Sequence, residues 1–148
     1  MTGVRKPFSR SMYNAVDARS KETLVKYLEA QGHTISSTEE NYYVDVVSRK
    51  DGQMYFNEVE VKLAWDGTWN PSWKEIRIPE RKGRLLEKYK DVTGYLNFYI
   101  ISGCWTQMWR IKDSLLLPES LKEAKGRYIK KGEKFFHIPY IQAELIQL

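Results

Sequence analysis

Cysteine is almost missing from this sequence: Cys104 stands alone among 148 residues. An internal disulfide and a cysteine-rich zinc site are thereby excluded. Histidine is nearly as scarce, and His33 and His137 are far apart and not at ligand spacing. No apolar run approaches the roughly 20 residues that span a bilayer. The opening MTGVRKPFSR lacks the apolar stretch of a secretory signal. These absences predict a cytoplasmic chain in a reducing compartment, with no membrane partner. There is also no internal repeat and no low-complexity segment.

What is present suits one folded domain over 1–148, with 42% hydrophobic and 29% charged residues. The net charge is +5, and its distribution says more. Lys74 to Lys90 holds seven basic residues against three acids, and Lys122 to Lys134 holds six against two. Positive charge gathered in two segments points to a polyanionic partner.

The chemistry concentrates in Asn57 to Leu63, NEVEVKL. Glu58, Glu60 and Lys62 alternate with Val59, Val61 and Leu63, the period of a half-buried strand. Upstream, Asn41 to Arg49 (NYYVDVVSR) carries Asp45 among apolar neighbours. Such a carboxylate is costly unless something compensates it. Asp51-Gly52 between the two runs is a hairpin signal. The hairpin is expected to carry Asp45 to the neighbourhood of Glu60 and Lys62. Phosphodiester cleavage needs such groups, because a divalent cation neutralises developing charge and acidifies water. Mg²⁺, or Mn²⁺ in its place, is held by one or two carboxylates with waters. Asp45, Glu60 and the Val61 carbonyl are the expected metal ligands, and Lys62 the residue that orients water or stabilises charge. The alternative for Glu60-Val61-Lys62 is a solvated strand face with a cross-strand ion pair.

The flanking segments read as follows. Residues 1–16 form a basic arm. Asp17 to Gln31 is a helix with a Leu24, Val25 and Leu28 stripe, ended by Gly32. His33 to Ser36 is a short strand, and 38–41 a turn. Residues 64–74 form a loop with Trp65, Trp69 and Trp73, since Gly67, Asn70 and Pro71 oppose a helix. Its tryptophans serve either to cap the core, to seal a dimer interface, or to stack on bases. Glu75 to Ile78 is a strand. Glu80 to Lys90 is a helix burying Leu85, Leu86 and Tyr89, with Arg81, Arg84 and Lys88 on one flank. Tyr95 to Ser102 is a central strand and Trp105 to Ile111 its partner. Asp113 to Leu117 is a helical turn, Glu119 to Ala124 a weak helix, 126–132 a basic loop, and Lys134 to Leu148 a closing strand or strand-helix piece. Residues 118–148 make up a C-terminal extension.

The order of helix, strand, Asp-bearing strand, Glu-x-Lys strand, basic helix and strand resembles the PD-(D/E)XK nuclease superfamily. It is most similar to the archaeal Holliday-junction resolvases. ETLVKYLEAQGHTI, VDVV, NEVEVK, RIPERKGRLLEKYK and YLNFYII carry the likeness. It implies an α/β, restriction-endonuclease-like mixed central sheet flanked by helices, with an αβββαβ core. It implies Mg²⁺ at Asp45 and Glu60, with Lys62 assisting. Resolvases place a further acid in the first helix; alignment on Gly32 puts Lys21 there, with Glu22 one step away, so Glu22, and separately Glu58 on the strand, are candidate additional acids. Arg77, Arg81, Lys82, Arg84, Lys88, Trp69 and Trp73 are the expected DNA contacts. The reading is a Mg²⁺-dependent endonuclease on duplex or branched DNA, a homodimer or higher oligomer because two strands need two sites. A non-catalytic nucleic-acid-binding module of the same fold, and a ribonuclease, are the alternatives.

Overall fold

The computed structural model describes residues 10–39, 43–92, 95–124, 129 and 131–148. Residues 1–9 of the expected arm, 41–42 of the expected Asp-bearing strand, and 126–128 and 130 of the basic loop lie outside the described residues.

Between Arg10 and Gln31 no proline or glycine interrupts the chain, and helix α1 (Arg10–Ala30) uses that whole stretch. It starts inside the segment expected to be an arm. Leu24 and Leu28, one turn apart, are buried on one face. Gly32, with φ 93°, supplies the left-handed residue that ends it. Its N–H donates to the Glu29 carbonyl at 3.0 Å and the His33 N–H to that of Leu28 at 2.9 Å, a Schellman closure.

Strands β1 (Thr34–Ser37), β2 (Val46–Lys50) and β3 (Gln53–Lys62) form an antiparallel meander. Asp51 and Gly52 take φ of 52° and 78°, so the β2–β3 connection is the two-residue turn that Asp-Gly favours. It fixes the register: Lys50 pairs with Gln53 and Val46 with Asn57. Strand β5 (Leu96–Ser102), buried along its whole length, lies parallel to β3 with Glu60 alongside Ile100. Strands β6 (Gln107–Lys112) and β9 (Glu144–Gln147) complete a six-stranded mixed sheet in the order β1-β2-β3-β5-β6-β9. Strand β6 begins later than expected, because Trp105 sits in a turn with φ 64°.

A parallel neighbour requires a crossover. The chain between β3 and β5 supplies it with the tryptophan loop, β4 (Glu75–Pro79) and a short helix α2 (Gly83–Lys88). Gly103 marks where the loop leaving β3 passes the end of β5: a Cβ there would lie 2.5 Å from the Leu63 carbonyl oxygen. The expected helix over Glu80 to Lys90 is broken into a 3-10 turn (Glu80–Lys82), α2 and a second 3-10 turn (Lys90–Val92). Gly83 near its start costs about 1 kcal/mol in a helix interior.

Strand β4 does not enter the main sheet. It pairs with β8 (Lys134–Pro139), which pairs with β7 (Leu121–Glu123), giving a separate three-stranded sheet. The weak helix expected over Glu119 to Ala124 is instead a 3-10 turn (Pro118–Ser120) running into β7. One face of the main sheet is therefore covered by strands as well as by α2, not by helices alone.

The core has two sides. Under α1, Leu24 and Leu28 meet Val46, Val59, Tyr99 and Ile101. On the other side, Val47, Phe56, Ile100 and Trp109 meet Ile76, Ile78, Phe136 and Ile138 of the small sheet. Each fully buried aliphatic side chain contributes about 1.5–3 kcal/mol. Alternation along β3 does the rest: Val59 goes to α1, while Glu58 and Glu60 go to the side of α2 and β4. No helix among the described residues is long and apolar enough to cross a membrane.

Candidate active site

Asp45 immediately precedes β2. The strand opens at Val46, and Tyr43, with φ 65°, breaks the extended run ahead of it. Counted back from the Asp51-Gly52 turn, Asp45 falls opposite Glu58. The expected approach to Glu60 and Lys62 is thus displaced by one period of the strand. Asp45 and Glu58 are buried, 8% and 6% exposed. The Asp45 N–H donates to Glu58 Oε2 at 3.1 Å, and the Val59 N–H donates to Asp45 Oδ2 at 2.9 Å.

Lys82 reaches in from the turn ahead of α2 and places its ammonium 2.8 Å from Glu58 Oε1. Lys82, which the sequence reading places among the DNA contacts, is the cation that compensates this buried carboxylate. Glu60 follows Glu58 on the same face, half-buried, and its carboxylate makes no hydrogen bond or ion pair among the described residues. Lys62 is exposed at the end of β3, its ammonium 5.0 Å from the centre of the Trp73 ring. Because Val59 turns its N–H toward Asp45, the backbone groups of Val61, one period on, face the same edge, past the end of β2.

These surroundings alter the acids and bases. Burial, and then the hydrogen bond and charge of Glu58, push the Asp45 carboxyl up to about 7. Burial also raises Glu60, opposed by Lys82 and Arg81. Lys62 is lowered, first by partial burial of its ammonium and then by Arg77. Glu58 and Lys82 thus act on Asp45, while Lys82, Arg81, Asp45 and Lys62 act on Glu60.

Other expected residues fall elsewhere. Glu22 is exposed on α1 and pairs with Lys26 at 3.0 Å. It sits on the helix that covers the Val59 face, so it is not part of this cluster. Trp69, expected on DNA, is 9% exposed and packs as a core residue. It meets Trp65, Trp73 and Trp109 edge to face at 5.1, 5.2 and 5.5 Å. Trp65, fully buried, and Trp69 therefore fulfil the capping reading of the loop. Arg77, Arg81, Arg84 and Lys88 are exposed, with the Lys88 ammonium 4.5 Å from the centre of the Tyr43 ring. Glu60, Lys62, Trp73 and Arg77 line an open groove of about 980 Å³.

Whether a cation fits can be judged from the donors. Among the described residues no three His, Cys, Asp or Glu side chains converge into a ready-made metal cage. Mg²⁺ does not need one, since one or two carboxylates and waters suffice. The oxygens of Asp45, Glu58 and Glu60 are hard donors of that type. Zinc finds neither its thiolate nor its imidazole ligands here. The pairing of Glu58 with Asp45 and Lys82 is the feature that the alternation of NEVEVK did not disclose. It follows from the two-residue turn, which pairs Lys50 with Gln53 and so sets Asp45 opposite Glu58.

No protein-family model and no curated protein matches this chain.

Proposed function

We propose that the protein is a Mg²⁺-dependent endonuclease of restriction-endonuclease-like architecture acting on DNA. One observation carries the reading: Asp45 and Glu58 meet at the start of β2 with Lys82 on Glu58, and Glu60, next on the same face of β3, lines the groove together with Lys62. With β4 set aside in the separate small sheet, the antiparallel meander, the crossover and the parallel return of β5 beside β3 are in keeping with the αβββαβ order that the sequence resemblance implies. Asp45 and Glu60 would hold the cation, with Glu58 and the Val61 carbonyl beside them. Bound there, Mg²⁺ supplies charge neutralisation and a more acidic water. The chain's own residues do the rest. Lys62 stands at the groove edge to meet a phosphate. Lys82 neutralises Glu58, so that the cluster does not repel a polyanion outright. Arg77, Arg81, Arg84 and Lys88 grip backbone phosphates. Branched DNA is the resolvase-like substrate and a duplex site the other. Cutting both strands calls for two sites, hence a homodimer.

A second reading, a nucleic-acid-binding module without cleavage, is favoured by the Lys82–Glu58 pair, because a structural ion pair in a silent site has that form. Supercoiled plasmid and a four-way junction, incubated with Mg²⁺ or EDTA, separate the two. Metal-dependent cutting lost in Glu60→Ala and Lys62→Ala supports the nuclease. DNA that is shifted in a gel and stays intact supports the binder.

A further inference from the structure

We infer that the groove beside β3 takes an unpaired nucleotide of single-stranded or branched DNA, its base stacked on Trp73. The inference deepens the nuclease reading and rests on it for the strand's orientation, because Glu60 and Lys62 belong to the groove wall.

Trp73 is presented to this groove by a rigid support. Trp69 packs against it edge to face, with ring planes at 80°, and donates its indole N–H to the Trp73 carbonyl at 2.9 Å. Trp69 is itself wedged against Trp65 and Trp109 inside the core. Trp73 alone of the three loop tryptophans remains partly exposed. A held aromatic ring loses little freedom on stacking, so more of the contact appears as affinity.

The rest of the lining suits a nucleotide. Lys62, Lys74 and Arg77 bring positive charge around the ring, while Phe135 and Pro79 add an apolar wall. Of the acids there, Glu75 is 3.3 Å from the His137 ring. At about 980 Å³ the groove stands at the upper end of small-ligand clefts, which run to roughly 1,000 Å³. That leaves room for more than one base.

The Lys62 ammonium now lies over the Trp73 ring. A base that stacks there displaces it and frees it for the phosphate that the same strand brings to Glu60. Paired bases in a duplex keep their faces against their neighbours and offer none to Trp73. A duplex would instead lay its backbone along the exposed Arg81, Arg84 and Lys88.

The test is fluorescence anisotropy of the full chain in EDTA with two labelled probes, a short oligothymidylate and a blunt duplex. Trp73→Ala is expected to weaken oligothymidylate about tenfold or more and the duplex by less than about twofold. Trp73→Phe, which keeps a stacking face, is expected to retain affinity within about threefold. Circular dichroism of both variants establishes that they fold. The inference is overturned if the native chain does not bind oligothymidylate, if Trp73→Ala weakens both probes alike, or if it weakens neither. A chain that stacks oligothymidylate yet never cuts DNA in Mg²⁺ keeps the groove and loses the nuclease. One that cuts while Trp73 proves irrelevant to single strands does the reverse.

Discussion

Asp45 and Glu58 meet head-on across the β2–β3 hairpin: the backbone N–H of Asp45 donates to the Glu58 carboxylate at 3.1 Å, and both side chains are buried. Two carboxyl groups in such a place cannot both stay charged without help. Lys82, 2.8 Å from Glu58, compensates one of them. A proton on Asp45 compensates the other at low pH, and a divalent cation would take over from that proton when bound.

That arrangement makes stability depend on pH in a definite direction. Asp45 titrates at about 7 in the fold, against roughly 3.9 in an unfolded chain. Between those values the folded chain holds a proton that the unfolded chain has released. In EDTA, stability is therefore greatest below about pH 4 with respect to this group and falls as pH rises to about 7, by at most roughly 1.4 kcal/mol per unit. Asp45→Asn, which can still accept the Val59 N–H, is expected to flatten that slope and, under the proposed function, to remove Mg²⁺-dependent cutting. Urea unfolding across pH 5–8 measures the slope, and an unchanged slope in the variant would show that Asp45 is not its source.

Glu58→Gln leaves the Lys82 ammonium without its charge partner in a poorly solvated place. Breaking a buried pair costs about 3–5 kcal/mol. Lys82 keeps 18% exposure, so roughly 2 kcal/mol is the expected loss. Adding Lys82→Met should recover part of it. A double-mutant cycle by denaturant unfolding reads the coupling, and strictly additive losses would mean that the two groups act independently.

Much of this was legible in the sequence, and the exceptions have physical reasons. The hairpin announced itself, because Asp-Gly accepts the positive φ that a two-residue turn demands. So did β5, whose run from Tyr95 to Ser102 is the most strand-like in the chain, interrupted by one polar residue, Asn97. The facing of Asp45 and Glu58 was also written there, but as a register and not as a pattern, and alternation along β3 alone does not reveal it. Tyr43 gave no local sign of its positive φ, so the strand appeared to begin too early. Ile76 and Ile78 showed that β4 has an apolar face but not that it belongs against Phe136 and Ile138, a pairing made far along the chain. Lys82 looked like its basic neighbours on a helix flank. The helical flank did not distinguish it as the one that reaches Glu58, 24 residues back along the chain.

The two tryptophans that part company in the structure should part company in stability. Trp69→Ala removes a buried ring with three edge-to-face tryptophan neighbours, and is expected to cost about 3–5 kcal/mol. Trp73→Ala, at the groove surface, is expected to cost less than about half as much. Thermal unfolding of both variants checks this. Equal losses would mean that Trp73 is as much a core residue as Trp69.

The claim on which the rest depends is that Asp45, Glu58 and Glu60 together offer a seat to a hard divalent cation. Crystals soaked in Mn²⁺ at pH 8 and examined by anomalous scattering test it most directly. The account predicts a single strong peak within coordination distance of the Asp45 and Glu60 carboxylates, lost in Asp45→Asn. No peak there in well-ordered crystals, or one that persists unchanged in that variant, would contradict it.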